Sequence, residues 1–485
     1  MVFSSQLFLF YFLPLSLLAY YAAPRPARHL ILTLFSYVFY GWANPLFTVL
    51  MFASTLLDYV CGLAMAQQWG AAWRRPIQTL PAGGPRTRGQ KAALIVSICA
   101  NLALLGFFKY FNFAVDSYDA LISAAGLDPL RLDLWLRVTL PLGISFYTFQ
   151  SMSYSIDVYR GDARAIRNFT DFFCYVSMFP QLVAGPIIRF QDVADQLRER
   201  DHTLVKFARG VAFVCLGLGK KVLIANPCGK VADVAFGAVG VGLVDAWTGV
   251  VSYAFQIYFD FSAYSDMAIG LGLMFGFAFA KNFDSPYRSS SFTEFWRRWH
   301  LSLSTWLRDN LYIPLGGNRK GESRTYLNLA VVMLLGGLWH GASWNFVIWG
   351  GIHGGLLAVE RAFGKDSLYR RLPAPLRIGA TFVILLFTWV FFRAADLPAA
   401  LRYCGSMLGI GQPPAAAGLL GGLMFKPYYL LMLGLAAGLV WLAPQTWDFT
   451  RRMSWPRTAW ALAVFGLAIA ALTTQSFNPF IYFIF

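Results

Sequence analysis

Charged side chains are scarce in this sequence: of its 485 residues only 13% are Asp, Glu, Lys or Arg, about half the share expected of a soluble globular domain. An ordinary cytosolic enzyme is thereby excluded. Acidic residues are scarcer still, 24 against 40 basic ones, for a formal net charge of +16. In a soluble chain that excess would suggest nucleic acid; in one this apolar it reads as loop charge facing anionic lipid, so no nucleic-acid partner is inferred. Cysteine is sparse and unpatterned. Cys61, Cys99, Cys174, Cys215, Cys228 and Cys404 include no CxxC pair and lie mostly in apolar stretches, so neither a disulfide framework nor a metal site is inferred. GxSxG, HExxH and P-loop patterns are missing, and the Gly316-Gly317 pair is too little to cradle a nucleotide. The N-terminus has no basic n-region, and the apolar run from Leu7 to Tyr21 leads directly into Arg25 and Arg28; it reads as a retained first span with its N-terminus outside.

Apolar residues fill the space those absences leave. Hydrophobic residues make up 57% and aromatics 17%, gathered into blocks near the roughly 20 residues that cross a hydrocarbon core. Spans or part-spans are expected at 6–22, 29–43, 46–66, 92–108, 138–157, 172–188, 207–225, 246–278, 325–340, 343–360, 376–393, 428–443 and 458–475. The expected fold class is an all-α polytopic membrane protein of roughly 10 to 13 helices, one integral domain over 1–485. Basic clusters at Arg25/Arg28, at Arg74/Arg75/Arg86/Arg88/Lys91 and at Arg160/Arg164/Arg167 are cytoplasmic by the positive-inside rule. That leaves 109–137 as an outer interfacial stretch. The Gly/Pro-punctuated 67–90 segment reads as a tolerant cytoplasmic loop, and Pro-Pro-Ala-Ala-Ala-Gly at 413–418 as a connector.

Between Lys281 and Arg324 the character changes: Arg288, Arg297, Arg298, Arg308, Arg319 and Lys320 alternate with Phe292, Phe295, Trp296, Trp299 and Trp306. At roughly 2.5–3.5 kcal/mol per central Arg or Lys, such a stretch cannot face lipid. It belongs at the cytoplasmic interface or along a shielded polar cavity.

Five histidines narrow the chemistry. His29 and His202, in polar surroundings at helix mouths, read as solvated loop residues. His300 ends Phe295-Trp-Arg-Arg-Trp-His; were that run helical through Ser304, Trp296, His300 and Ser304 would share one face, with Arg297 beside them. An interfacial Trp/Arg anchor fits the same pattern. His340 ends the apolar run from Leu327 and precedes Gly341-Ala-Ser-Trp-Asn345. A neutral imidazole there suits general-base catalysis, and a histidine satisfied by a backbone carbonyl fits equally. His353, flanked by glycines, reads as packing between close helices. Asp260 and Asp266, six residues apart and therefore off one another's face, read as two separate interhelical contacts.

The blocks Phe295-Trp-Arg-Arg-Trp-His-Leu-Ser-Leu-Ser-Thr-Trp-Leu-Arg-Asp-Asn-Leu-Tyr-Ile-Pro-Leu-Gly-Gly-Asn-Arg319 and Leu334-Leu-Gly-Gly-Leu-Trp-His-Gly-Ala-Ser-Trp-Asn-Phe346 closely resemble the membrane-bound O-acyltransferases, in particular their bacterial alginate O-acetyltransferase branch. The likeness extends to Pro141-Leu-Gly-Ile-Ser-Phe-Tyr-Thr-Phe-Gln150, to Phe179-Pro-Gln-Leu-Val-Ala-Gly-Pro-Ile187 and to Tyr258-Phe-Asp-Phe-Ser-Ala-Tyr-Ser-Asp266, with the core at about 138–360. The resemblance implies a ring of helices around a thin centre with a reaction tunnel, and an acetyl group passed from a cytoplasmic thioester such as acetyl-CoA to an outer acceptor. It implies His340 as the catalytic residue and His300 as the second polar residue of the chamber; both are expected to take part in catalysis, His300 by orienting or polarising the thioester carbonyl, and Trp296, Arg297, Ser304 and Asn345 are the expected substrate-binding residues. It further implies the bacterial inner membrane, a periplasmic acceptor protein and an exopolysaccharide substrate such as alginate. Acetylases of cellulose or other wall polymers and the D-alanyl transfer proteins of teichoic acid are the nearest alternatives, and a transporter without chemistry is the alternative of another class.

Overall fold

A computed structural model describes residues 1–68, 76–132, 137–364, 371–410, 420–475 and 477–481. Helices are the regular secondary structure of the described residues, with no strand among them. Two compact units emerge: 1–210 with 271–280, and 211–270 with 281–485. Among the described residues four helices are long and apolar enough to cross a membrane, Leu46–Met65, Arg88–Ala124, Ala374–Arg393 and Trp455–Thr474.

In the first unit, helix Arg88–Ala124 runs for 37 residues, about 55 Å at the usual rise and well beyond a hydrocarbon core. It absorbs both the expected 92–108 span and most of the stretch expected to lie flat outside. Its polar side chains are used within the unit: Asn112 exchanges hydrogen bonds with the Val138 backbone, and Lys109 lies buried with Nζ 3.3 Å from Ser145 Oγ. The expected 172–188 span is also corrected. Helix Phe169–Ser177 stops at Met178, and a single turn, Phe179–Leu182, follows with Pro180 in its first positions. Helix Ile144–Arg160 is buried along nearly its whole length although it carries Ser145, Thr148, Gln150, Ser151, Ser153, Ser155 and Asp157. Apolar surroundings make such side chains seek one another; Ser97 Oγ bridges Ser155 and the buried Asp58 at 2.7 and 2.6 Å, and Asn101 donates to the same carboxylate.

The 67–90 loop is not a loose insertion where it is described; residues 69–75 lie outside the described residues, as does the 413–418 connector. Arg86 donates to the carbonyls of Tyr159 and Arg160, closing the C-terminal end of the 144–160 helix. Gly161, at φ +90°, lies so close to the Leu80 carbonyl that no side chain could be accommodated there.

The second unit is built around two antiparallel helices, Glu322–His340 and Trp344–Phe363. Their sequences carry Gly336-Gly337 and Gly350-Gly351, and the small residues let the backbones meet: a Cβ on Gly350 would strike the Met333 carbonyl, and one on Gly337 the Phe346 carbonyl. Gly350→Ala is therefore expected to cost about 1–3 kcal/mol by overpacking, read as a lowered melting temperature in detergent. A wild-type melting curve would show that the helices can part freely. Around the pair packs an aromatic core that includes Trp299, Trp349 and Trp389. Asp260 and Asp266 do take separate partners: Asp260 pairs with Lys221 and Asp266 with Lys220, each at 2.7 Å. The adjacent lysines open a π-helical turn, Lys220–Ala225.

Candidate active site

His340 is the last residue of its helix and is 5% exposed. Ring edges hold its imidazole on three sides: Trp339, Trp349 and Phe392 lie with centroids 5.1, 5.3 and 5.2 Å away. Its remaining side faces a cavity of about 350 Å³. Trp296, Arg297 and Ser304 line the same cavity, so four of the six residues singled out in the sequence share its lining. Leu303, Leu307, Val332 and Met333 make its body apolar.

His300 departs from the expected geometry. The 295–304 run is not one helix: Phe292–Trp296 and Leu301–Leu307 are separate, and His300 sits between them with φ +45°. A left-handed conformation is uncommon for a residue with a side chain and persists only where the surroundings impose it. Asn282 imposes it here. Its backbone carbonyl accepts from Leu301 N, and its side-chain oxygen accepts from Ser302 N and Oγ and lies 3.3 Å from His300 Nδ1. Phe261 meets the ring edge-on at 4.6 Å. His300 is fully buried behind the cavity wall, its ring 6.4 Å from that of His340, and its Nε2 has no hydrogen-bond partner among the described residues.

Asn345 is not at the cavity. It is buried and donates through Nδ2 to the Ala394 carbonyl at 2.8 Å, tying the start of the 344–363 helix to the end of the 374–393 helix. His353 is a packing residue: its ring meets Trp349 at 4.6 Å and Trp296 at 5.3 Å, and Nε2 lies 3.2 Å from Thr388 Oγ1. Sequence reasoning missed Arg361, which lines the cavity from the end of the 344–363 helix. Its one signal was a cation closing an apolar run.

His29 is not a solvated loop residue, and His202, although it lies in a loop, is only partly exposed and is engaged by Tyr20. His29 lies in helix Arg28–Gly41, 12% exposed, with Nδ1 2.5 Å from Asp171 and Nε2 2.6 Å from Arg200. Arginine can only donate, so Nε2 accepts and the proton resides on Nδ1, toward Asp171. Arg200 also donates to Tyr20, whose hydroxyl donates to the Phe275 carbonyl and stands 2.9 Å from His202. Partial burial, and then the positive charges of Arg200 and Arg28, hold the His202 pKa below its ordinary value. This network fastens the first unit internally. His29→Ala should therefore lower stability by about 1–3 kcal/mol, leaving Arg200 and Asp171 without their bridge, while transfer per folded molecule stays near wild type. Activity lost with unchanged thermal stability would refute that assignment.

The family model for MBOAT, the membrane-bound O-acyltransferase family, matches residues 159–392, a range containing the whole cavity wall. The chain is similar to the probable alginate O-acetylase AlgI of Pseudomonas putida, 45% identical over 511 residues with both proteins covered completely. The namesake in Azotobacter vinelandii is 43% identical, again over both full lengths. A peptidoglycan O-acetyltransferase of Helicobacter pylori is 36% identical over 84% of this chain and 80% of its own. The chain thus belongs to the membrane-bound O-acyltransferase family, and it is an O-acyltransferase.

Proposed function

We propose that the protein carries an acetyl group through the bacterial inner membrane for O-acetylation of an exopolysaccharide of the alginate kind. The buried imidazole of His340 on the wall of an apolar cavity carries this reading, alongside full-length similarity to two alginate O-acetylases. A thioester, acetyl-CoA or a relative, enters from the cytoplasmic side. An acceptor hydroxyl oxygen attacks the thioester carbonyl as His340 takes the hydroxyl proton; the C–S bond breaks, and the imidazolium returns that proton to the departing thiolate. Trp296 and Ser304 line the path of the acetyl group. His300 acts from behind the wall as a positioning residue, packing on Trp339 at 5.9 Å.

A periplasmic acceptor protein completes the reaction. The three basic clusters of the first half are assigned to the inside by their charge, whereas an acidic polymer would be gripped by basic surface outside. The test is reconstitution in liposomes with labelled acetyl-CoA inside and alginate outside. Turnover that depends on an added periplasmic partner is the expected result; efficient labelling of the polymer with no second protein would overturn the need for one, and no dependence on His340 would overturn the site.

A further inference from the structure

Asn282 ties helix Leu243–Met274 to the turn at His300, and the groups around it show which way its amide is turned. Its Nδ2 donates to Ser265 Oγ at 2.9 Å, and its Oδ1 receives the Ser302 backbone N–H at 3.2 Å and the Ser302 hydroxyl at 2.9 Å. A backbone N–H can only donate, so the atom facing it is the oxygen. That same oxygen lies 3.3 Å from His300 Nδ1. Asn282, Ser265 and His300 are all buried, away from the bulk water that could offer other partners.

An oxygen set against Nδ1 decides where the imidazole keeps its proton. Neutral imidazole carries one N–H, and the nitrogen that meets an acceptor is the one that bears it. The proton therefore sits on Nδ1. Ser302 Oγ is 3.4 Å from the same nitrogen, but it directs its only proton at Asn282, which is closer. Nε2, on the other edge of the ring, is left with a lone pair and no hydrogen-bond partner among the described residues.

The surroundings of His300 are of two kinds. Asn282 borders a small polar void that Ser262, Ser265, Asp266, Gln445 and Thr446 also line, and none of these lines the His340 cavity. The ring also approaches Trp339 and His340, with centroids 5.9 and 6.4 Å away. A direct N–H···N bond between two imidazoles would hold their centroids within about 5 Å. The two histidines therefore act on one another across a gap.

We infer that Asn282 is a positioning residue of the transfer reaction: its side-chain oxygen keeps the His300 proton on Nδ1, so that His300 offers an unprotonated Nε2 to the His340 side. The inference rests on the acetyl-transfer reading of the site and revises one role within it. A bare nitrogen cannot donate to the thioester carbonyl, so His300 does not polarise it. Its lone pair serves the proton side of the reaction instead. When His340 takes the hydroxyl proton it becomes a cation among the ring edges of Trp339, Trp349 and Phe392, and such edges carry partial positive charge. A fixed dipole with its negative end toward that cation favours the step without reorganising. The other tautomer would turn an N–H toward it and oppose the step. His300 stays neutral and exchanges no proton; the hydroxyl proton still passes from His340 to the departing thiolate.

The test is NMR of the full-length protein in nanodiscs with isotope-labelled histidine nitrogens, the His300 signals being identified by their loss in His300→Asn. His300 should show a protonated Nδ1 and a bare Nε2 at neutral pH. A proton on Nε2 overturns the proposal, whatever the transfer assay reads. Transfer from labelled acetyl-CoA and binding of acetyl-CoA are followed beside it. Asn282→Leu, close in volume and keeping the backbone bond to Leu301, should lose the Nδ1 preference and lower kcat by about tenfold or more, the scale on which outer partners of an imidazole act. Binding of acetyl-CoA should be unchanged. Asn282→Asp still sets an oxygen against Nδ1, so it should keep that proton in place and recover part of kcat. A folded Asn282→Leu protein with wild-type kcat, or equal losses in Asn282→Leu and Asn282→Asp, would reduce Asn282 to a packing residue and overturn the proposal. Should the leucine variant fail to fold, the wild-type spectrum and Asn282→Asp decide. Absence of acetyl transfer by the wild-type protein, with the proton found on Nδ1, would defeat the acetyl-transfer reading instead.

Discussion

His340→Ala should lose at least about a hundredfold in acetyl transfer, the lower range for removal of a general base, while its abundance in the membrane and its melting temperature stay close to wild type. The side chain stands at the end of a helix and against a cavity, so truncation enlarges a space that already exists instead of opening one in a packed core. Purified protein, checked for monodispersity and assayed with labelled acetyl-CoA, gives the answer. Wild-type transfer would remove His340 from the mechanism. Because the base acts on the bound complex, the loss should fall on kcat, with the binding of the donor little changed.

His300 provides the contrast. Its ring fills a site between Phe261 and Trp339, and its backbone is left-handed, so His300→Ala should lose stability and activity together. Asparagine visits the left-handed region more readily than most residues. His300→Asn therefore holds the turn while removing the ring, and tells a backbone role from one that belongs to the imidazole.

Apolar length was the readable part of this sequence. The 46–66, 376–393 and 458–475 runs are helices within a few residues of their expected limits, because nothing but burial or lipid can accommodate them. The charge rule alone set 109–137 apart as an outer interfacial stretch, yet the helix continues to Ala124, and Asn112 and Asp119 are used on backbone at Val138 and Leu132. His340 and His300 stand out in the sequence as residues, but their geometry does not: only His340 lines the cavity. The break at His300 is imposed by Asn282, 18 residues earlier, and no local pattern announces it. His29 was misread for the same reason, since its partner Asp171 lies 142 residues away. Arg361 went unnoticed because a cation ending an apolar helix is ordinary at a membrane surface; only the cavity distinguishes it.

The buried pair Lys221–Asp260 carries the largest expected effect on stability. Lys221 and Asp260 are 4% and 1% exposed, and among the described residues each has a further partner: Ile481 N donates to Asp260 at 2.8 Å, and Lys221 donates to the Pro479 carbonyl. Lys221→Met leaves a carboxylate in apolar surroundings with no countercharge, a change that costs about 3–5 kcal/mol when one member of a buried pair is removed. Asp260→Asn alone should be comparably harmful, since it leaves the ammonium unpaired. Combined, the two substitutions remove both charges while the asparagine oxygen still accepts from Ile481. The double variant should then recover most of what either single variant loses. Lys220→Met makes the control: Lys220 and Asp266 are 18% and 14% exposed, and Thr446 also donates to that carboxylate, so solvent and hydroxyl soften the loss. Melting temperatures of the four variants in one detergent decide the matter. Additive losses in the double variant would mean that the two charges are solvated independently of one another.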